Sequence, residues 1–69
     1  MLADVNDQRF HLVLHAGARP VMHGWWPDRG IADGKFTRWV GKHGGADGAR
    51  ITLTDEETGR VIHRWPKQL

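Results

Sequence analysis

The first regular pattern in the chain is an alternation of apolar and polar residues. Within residues 9–16 the apolar positions Phe10, Leu12 and Leu14 recur at every second residue. This period of two is typical of a β-strand with one buried face. The residues between them, His11, Val13 and His15, are therefore expected on the opposite face of the sheet.

A second strand is predicted over residues 19–26, joined to the first by a tight turn. If Gly17-Ala18 is a two-residue loop with glycine first, the turn is of type II′ and fixes the pairing of the strands. Pro20 lacks an N–H donor and suits an edge strand. The predicted cross-strand pairs are Leu14 with Val21, Leu12 with His23, and Phe10 with Trp25.

After Pro27 the period changes to that of a helix, which is predicted to run to His43. Asp28 is the expected N-cap, and Asp33 is an alternative that would shorten the helix by about a turn. Gly44-Gly45 is expected to end the helix. The Gly41-to-Gly44 segment also matches a GxxG loop that grips nucleic-acid backbones, but no second helix follows it. The predicted buried stripe is Ala32, Phe36, Trp39, Val40 and His43.

The C-terminal third of the chain predicts a second hairpin. Residues 49–54 alternate cleanly, with Ile51 and Leu53 inward. Residues 55–59 form a polar loop in which Gly59 takes a positive φ. Residues 60–65 are a fourth strand whose inward face the pattern leaves open, since a bulge would change it.

The predicted order is therefore β-β-α-β-β, and the fold class is α+β. We expect a four-stranded, mainly antiparallel sheet of two hairpins with one helix packed on one face. Residues 9–66 form the single domain, residues 1–8 a flexible N-terminal lead-in, and residues 67–69 a C-terminal tail.

Composition narrows the classes of function. The 69 residues include no Cys, Ser or Tyr, which removes disulfides and the commonest nucleophiles. We therefore expect a protein that is not an enzyme and that needs no cofactor. The absence of cysteine, of a signal peptide and of a long apolar run predicts a cytoplasmic protein without a membrane partner.

The five histidines do not predict a metal site. His11 and His15 are four residues apart in one strand, about 13 Å, and cannot bind one ion together. In the predicted hairpin His23 lies on the face opposite both of them. The acidic run Asp55-Glu56-Glu57 is expected to be a solvated loop and not a general-acid pair.

The sequence supports two hypotheses for function. The leading hypothesis is a module for protein–protein interaction or self-association, such as a homodimer, through the sheet face that the helix leaves uncovered. The alternative is a small nucleic-acid-binding protein that uses a basic helix stripe and exposed aromatic rings. The modest net charge of +2 and the acidic loop of residues 55–57 count against this alternative. The candidates for protein interaction are Trp26, Met22, Val13, His11 and His15, and those for nucleic acid are Lys35, Arg38 and Lys42.

Overall fold

The computed structural model describes residues 8–66 and confirms the predicted order of elements. The predicted C-terminal tail, and the lead-in up to residue 7, lie outside the described residues. The elements are strands β1 (Phe10–Ala16) and β2 (Arg19–Trp26), helix α1 (Arg29–His43), and strands β3 (Ala49–Asp55) and β4 (Arg60–Trp65).

The four strands form one antiparallel sheet in the order β2-β1-β3-β4. The two hairpins therefore join through β1 and β3, which occupy the centre. Helix α1 packs across one face, mainly against β3 and β1. This is the predicted α+β architecture. The sheet face under α1 is called the helix face below.

The core lies between the helix face and α1. Leu12, Ile51 and Leu53 are completely buried, and Ala32 of the helix meets them at the centre. Around this centre, larger side chains are partly buried and seal the edges. They are Trp26, Phe36, Trp39, Val40, Ile62 and Trp65.

Helix α1 begins and ends where the sequence predicts. The Asp28 carboxylate accepts a hydrogen bond from the backbone N–H of Ile31 at 3.0 Å, so Asp28 and not Asp33 is the N-cap. Gly44 closes the last turn by donating to the carbonyl of Val40. Of the predicted stripe, Ala32, Phe36, Trp39 and Val40 pack against the core. His43 meets the Trp39 ring edge-on at 6.5 Å.

The predicted register of the first hairpin is wrong by one residue. The two-residue turn forms as expected, with Gly17 at φ +63°. A bulge between Leu14 and His15 then shifts the pairing, so that Leu14 opposes Met22 and Phe10 opposes Trp26. One extra residue in a strand reverses the face of every residue beyond it. Trp26 and Met22 therefore lie on the helix face, and Trp25 lies on the opposite one.

A second bulge settles the inward face of β4. The pairing of β3 with β4 shifts between Leu53 and Thr54, so that Leu53 opposes His63 while Ile51 opposes Trp65. Ile62 also reaches the core. His63 and Trp65 thus belong to the helix face, which the sequence pattern alone left open.

Candidate functional site

The sheet face that α1 leaves uncovered is called the open face. Cross-strand pairing places its side chains in three rows, and none of them is buried. The first row is Trp25, His11, Thr54 and Val61; the second is His23, Val13, Thr52 and Arg64; the third is His15 and Arg50.

The open face carries positive charge without a carboxylate among its members. Asp28 caps the helix, Asp33 contacts Arg29 and His63, and Asp55 lies on the helix face. Of the described acidic side chains, Glu56 comes nearest, because it contacts His11 at the end of the sheet. The positive charge of the open face is therefore concentrated at Arg50 and Arg64, in the rows away from the contact between His11 and Glu56.

A stacked aromatic group occupies one corner of the open face. The Trp25 indole lies parallel to the His11 imidazole, with ring centroids 4.5 Å apart and an angle of 2° between the planes. His11 and His23 lie side by side, with Nε2 and Nδ1 2.9 Å apart in a hydrogen bond. Trp25 also stacks on His23 at 5.6 Å and is 44% exposed. Its indole is thus held in one orientation by both imidazoles while much of its surface meets solvent.

The prediction that His11 and His23 lie on opposite faces is wrong, since the bulge in the hairpin brings them together. They nevertheless form a chain and not a metal site. His11 uses Nδ1 for the Glu56 carboxylate at 3.0 Å and Nε2 for His23, so its nitrogens point to different partners. Among residues 8–66 no group of three or more His, Cys, Asp or Glu side chains could hold a metal ion.

A cleft of about 380 Å³ lies at the far corner of the open face, against edge strand β4. Its lining is two arginines, one hydroxyl and two rings: Arg50, Arg64, Thr52, Trp65 and Pro66. Arg50 donates to the carbonyl of Gly17 at 3.0 Å, which orients its guanidinium. Arg64 makes neither a hydrogen bond nor an ion pair with any of the described residues. Within residues 8–66, its donors therefore have no competing partner.

The structure brings together only part of the predicted protein-interaction set. Val13, His11 and His15 lie on the open face as expected. Trp26 and Met22 do not, because they pair with Phe10 and Leu14 on the helix face. Trp26 packs at the edge of the core, and its ring meets that of Trp39 edge-on at 6.4 Å.

The predicted basic stripe is on the far side of the domain from the open face. Lys35 is half-buried, with Nζ 5.9 Å from the centre of the Trp26 ring, while Arg38 and Lys42 are exposed. Because α1 packs on the helix face, these cations cannot act together with Arg50 and Arg64 on a single small ligand.

The candidate sets predicted from the sequence omit four residues of the open face. Arg50 and Thr52 could have been found, because they alternate with the inward Ile51 and Leu53. Arg64 depended on the undetermined face of β4. Trp25 was assigned to the core, and the hydrophobic pattern contains no signal for the bulge that exposes it.

The acidic run at the β3–β4 turn is held by local partners and by Arg9. The Arg9 guanidinium donates two hydrogen bonds to the Asp55 carboxylate, at 3.1 and 3.0 Å. These bonds lower the pKa of Asp55, against the opposing effect of burial. A general acid needs a raised pKa, so this carboxylate has a structural role, as the sequence suggested.

Within residues 8–66, no helix has the length and apolarity that crossing a membrane requires. Comparison of the chain with protein-family models, with curated proteins and with solved structures finds no match.

Proposed function

We propose that this chain is a small non-enzymatic binding module whose open face binds single-stranded nucleic acid. One observation carries the proposal: the open face combines an exposed, oriented tryptophan with two arginines and contains no carboxylate. Trp25 lies on edge strand β2 and Arg64 on edge strand β4. With strands about 4.8 Å apart and neighbouring rows about 6.6 Å apart, they are separated by about 16 Å, room for about two or three bases.

The distribution of charge favours an anionic ligand. Arg50 and Arg64 present planar guanidinium groups, which match phosphate oxygens in geometry as well as in charge. A polyanion would also release counterions on binding, which adds to affinity at low salt.

The same distribution opposes self-association through the open face. In a two-fold dimer the same patch meets itself, so two faces that each carry Arg50 and Arg64 would be brought together. A protein partner for this face would instead have to be acidic. The hypothesis of a protein-interaction module, made from the sequence, therefore requires an acidic protein partner.

The aromatic corner favours bases over acidic side chains. Trp25 contacts the imidazoles with one face of its indole, and the described residues place no ring against the other face. Stacking of a base on such a ring contributes about 1–3 kcal/mol and tolerates any sequence. Acidic side chains gain nothing comparable from a π-face, whose charge is negative.

The proposal is tested by fluorescence anisotropy of labelled mixed-sequence single-stranded oligonucleotides. With two phosphates neutralised, affinity should fall about sevenfold between about 50 and 200 mM salt. Trp25→Ala should weaken binding about five- to 150-fold, the equivalent of one stacked base. The matched control is Arg38→Met, which removes a cation from α1 and should leave affinity unchanged.

Two results would contradict the proposal. If Arg38→Met weakens binding and Trp25→Ala does not, the ligand lies on the helix stripe. If no oligonucleotide binds at about 50 mM salt, the nucleic-acid function is wrong, and an acidic protein partner becomes the hypothesis to test. A cytoplasmic location belongs to the same proposal and is supported by the cysteine-free composition.

A further inference from the structure

We infer that the cleft between Arg50 and Arg64 is a subsite for a terminal phosphate monoester of the bound strand. The inference rests on the proposed function for the identity of the ligand. The supporting observations are the two guanidinium groups, the Thr52 hydroxyl between them, and the position of the cleft at a corner of the sheet.

Strand pairing brings the two arginines close enough to bind one phosphate. Thr52 opposes Arg64 across the strands, and Arg50 precedes Thr52 by two residues on the same face. Arg50 and Arg64 are therefore diagonal neighbours, about 7–8 Å apart at the backbone. Guanidinium groups on side chains of this length converge on one anion without movement of the backbone.

Charge distinguishes a terminal phosphate from one inside a strand. A monoester carries between about −1.5 and −2 at neutral pH, whereas an internal diester carries a single charge. The combined charge of two arginines matches that of the monoester. Arg64 has no competing partner among the described residues, and Arg50 keeps donors beyond the one given to Gly17.

The walls of the cleft suit the rest of a nucleotide. The Trp65 indole donates Nε1–H to the carbonyl of Gly44 at 3.3 Å, which anchors the ring at the sheet edge. Pro66 offers apolar surface beside the arginines, and Trp65 lines the cleft from β4 while its indole is held against Gly44 on the helix side. The volume of about 380 Å³ lies at the lower end of the range for small-ligand pockets, about 300–1,000 Å³.

The first experiment uses adenosine 5′-monophosphate, adenosine and inorganic phosphate as probes of the isotope-labelled protein by NMR. The monophosphate should shift the Arg Nε signals of Arg50 and Arg64. Adenosine should leave the arginine signals unchanged, and inorganic phosphate should move them at higher concentration only. Arg64→Met should abolish the arginine shifts, whereas Arg60→Met, on the same strand but outside the cleft, should keep them.

The second experiment compares oligonucleotides that differ only in a terminal phosphate. Wild type should bind the phosphorylated strand about tenfold more tightly, and Arg64→Met should bind both strands equally. Equal affinities in wild type, with no arginine shifts from the monophosphate, would overturn the subsite while salt-dependent binding still supports the open face. If the monophosphate shifts the arginine signals but no oligonucleotide binds, the proposed function is wrong, and the cleft is a phosphate site of another kind. Inorganic phosphate as effective as the monophosphate would overturn the nucleotide part of the inference.

Discussion

The two faces of the sheet are made from alternate residues of the same strands and differ in every chemical respect. In β1, Phe10, Leu12 and Leu14 are buried under the helix, while His11 and His15 beside them remain in partial contact with solvent. The helix face is mainly apolar, and its centre is packed under α1. The open face is aromatic, cationic and uncovered by any described residue.

The treatment of charge separates the faces most clearly. The helix face contains one buried carboxylate, Asp55, and neutralises it with a two-pronged hydrogen bond from Arg9. The open face leaves Arg64 without an anionic partner among the described residues. A buried charge is costly unless it has a partner inside the fold. An exposed charge is solvated by water and remains available to a ligand. This difference directs the functional proposal to the open face.

The largest expected effect comes from removing a side chain from the closed face. Leu53→Ala should lower the free energy of unfolding by about 2–5 kcal/mol, because Leu53 is completely buried and the cavity cannot be refilled. Val13→Ala, on the open face, should cost about 1 kcal/mol or less. Urea denaturation followed by tryptophan fluorescence measures both. Equal losses would mean that the open face is packed as tightly as the core.

The adjacent tryptophans give the next largest effect. Trp26→Ala should cost about 2–3 kcal/mol, since Trp26 seals the edge of the core. Trp25→Ala should lower the free energy of unfolding by about 1 kcal/mol, because it removes the stacking on two imidazoles. Thermal and urea unfolding compare the variants directly. The prediction fails if Trp25→Ala is the more destabilising of the two.

A second substitution tests the position of Trp26 without touching it. The Trp26 ring lies over Gly24, so that a Cβ at Gly24 would overlap the six-membered ring. Gly24→Ala should displace Trp26 and destabilise the fold by about 1–3 kcal/mol. An unchanged stability for Gly24→Ala would place Trp26 elsewhere.

These tryptophans also show where sequence reasoning stops. Alternation of apolar residues correctly predicted the buried positions of β1 and β3. Asp28 and the glycines after His43 correctly predicted the two ends of α1. Each of these signals is local in the sequence. The faces of Trp25 and Trp26 depend on the bulge between Leu14 and His15, for which the hydrophobic pattern contains no signal. The contact of Arg9 with Asp55 spans 46 residues and has no local signal. The open face was predicted to exist, but two of the residues now assigned to its site, Trp25 and Arg64, could not be placed on it.

The partnered carboxylate predicts a dependence on pH. Hydrogen bonds from Arg9 hold the pKa of Asp55 below its ordinary value of 3.8 in the folded state. The unfolded chain therefore binds a proton first as the pH falls, so the stabilisation is present above about pH 4 and is lost as pH drops through the folded pKa. Asp55→Asn should flatten the part of the stability curve below pH 4, measured by thermal unfolding from pH 2 to 6.

Asp47→Asn is the matched control for that measurement, because Asp47 lies in the loop before β3, where the described residues give its carboxylate no partner. The Asp47→Asn variant should lose stability below pH 4 to the same extent as wild type. Parallel curves for wild type and Asp55→Asn would show that Arg9 does not hold the carboxylate in solution.

The smallest effect is expected on the solvent side of α1, and it separates the helix from the open face as a binding surface. Gly34 lies in the middle of the helix, and a Cβ there would meet nothing within 4 Å. Gly34→Ala should therefore raise stability by about 0.5–1 kcal/mol, since alanine orders a helix at lower entropic cost. The added methyl group also projects beside Lys35 and Arg38, with which Gly34 lines a shallow groove. If nucleic acid binds on the open face, oligonucleotide affinity should not change in this variant. A loss of affinity together with a gain in stability would move the binding surface to the helix, because only a ligand in that groove would contact the new group.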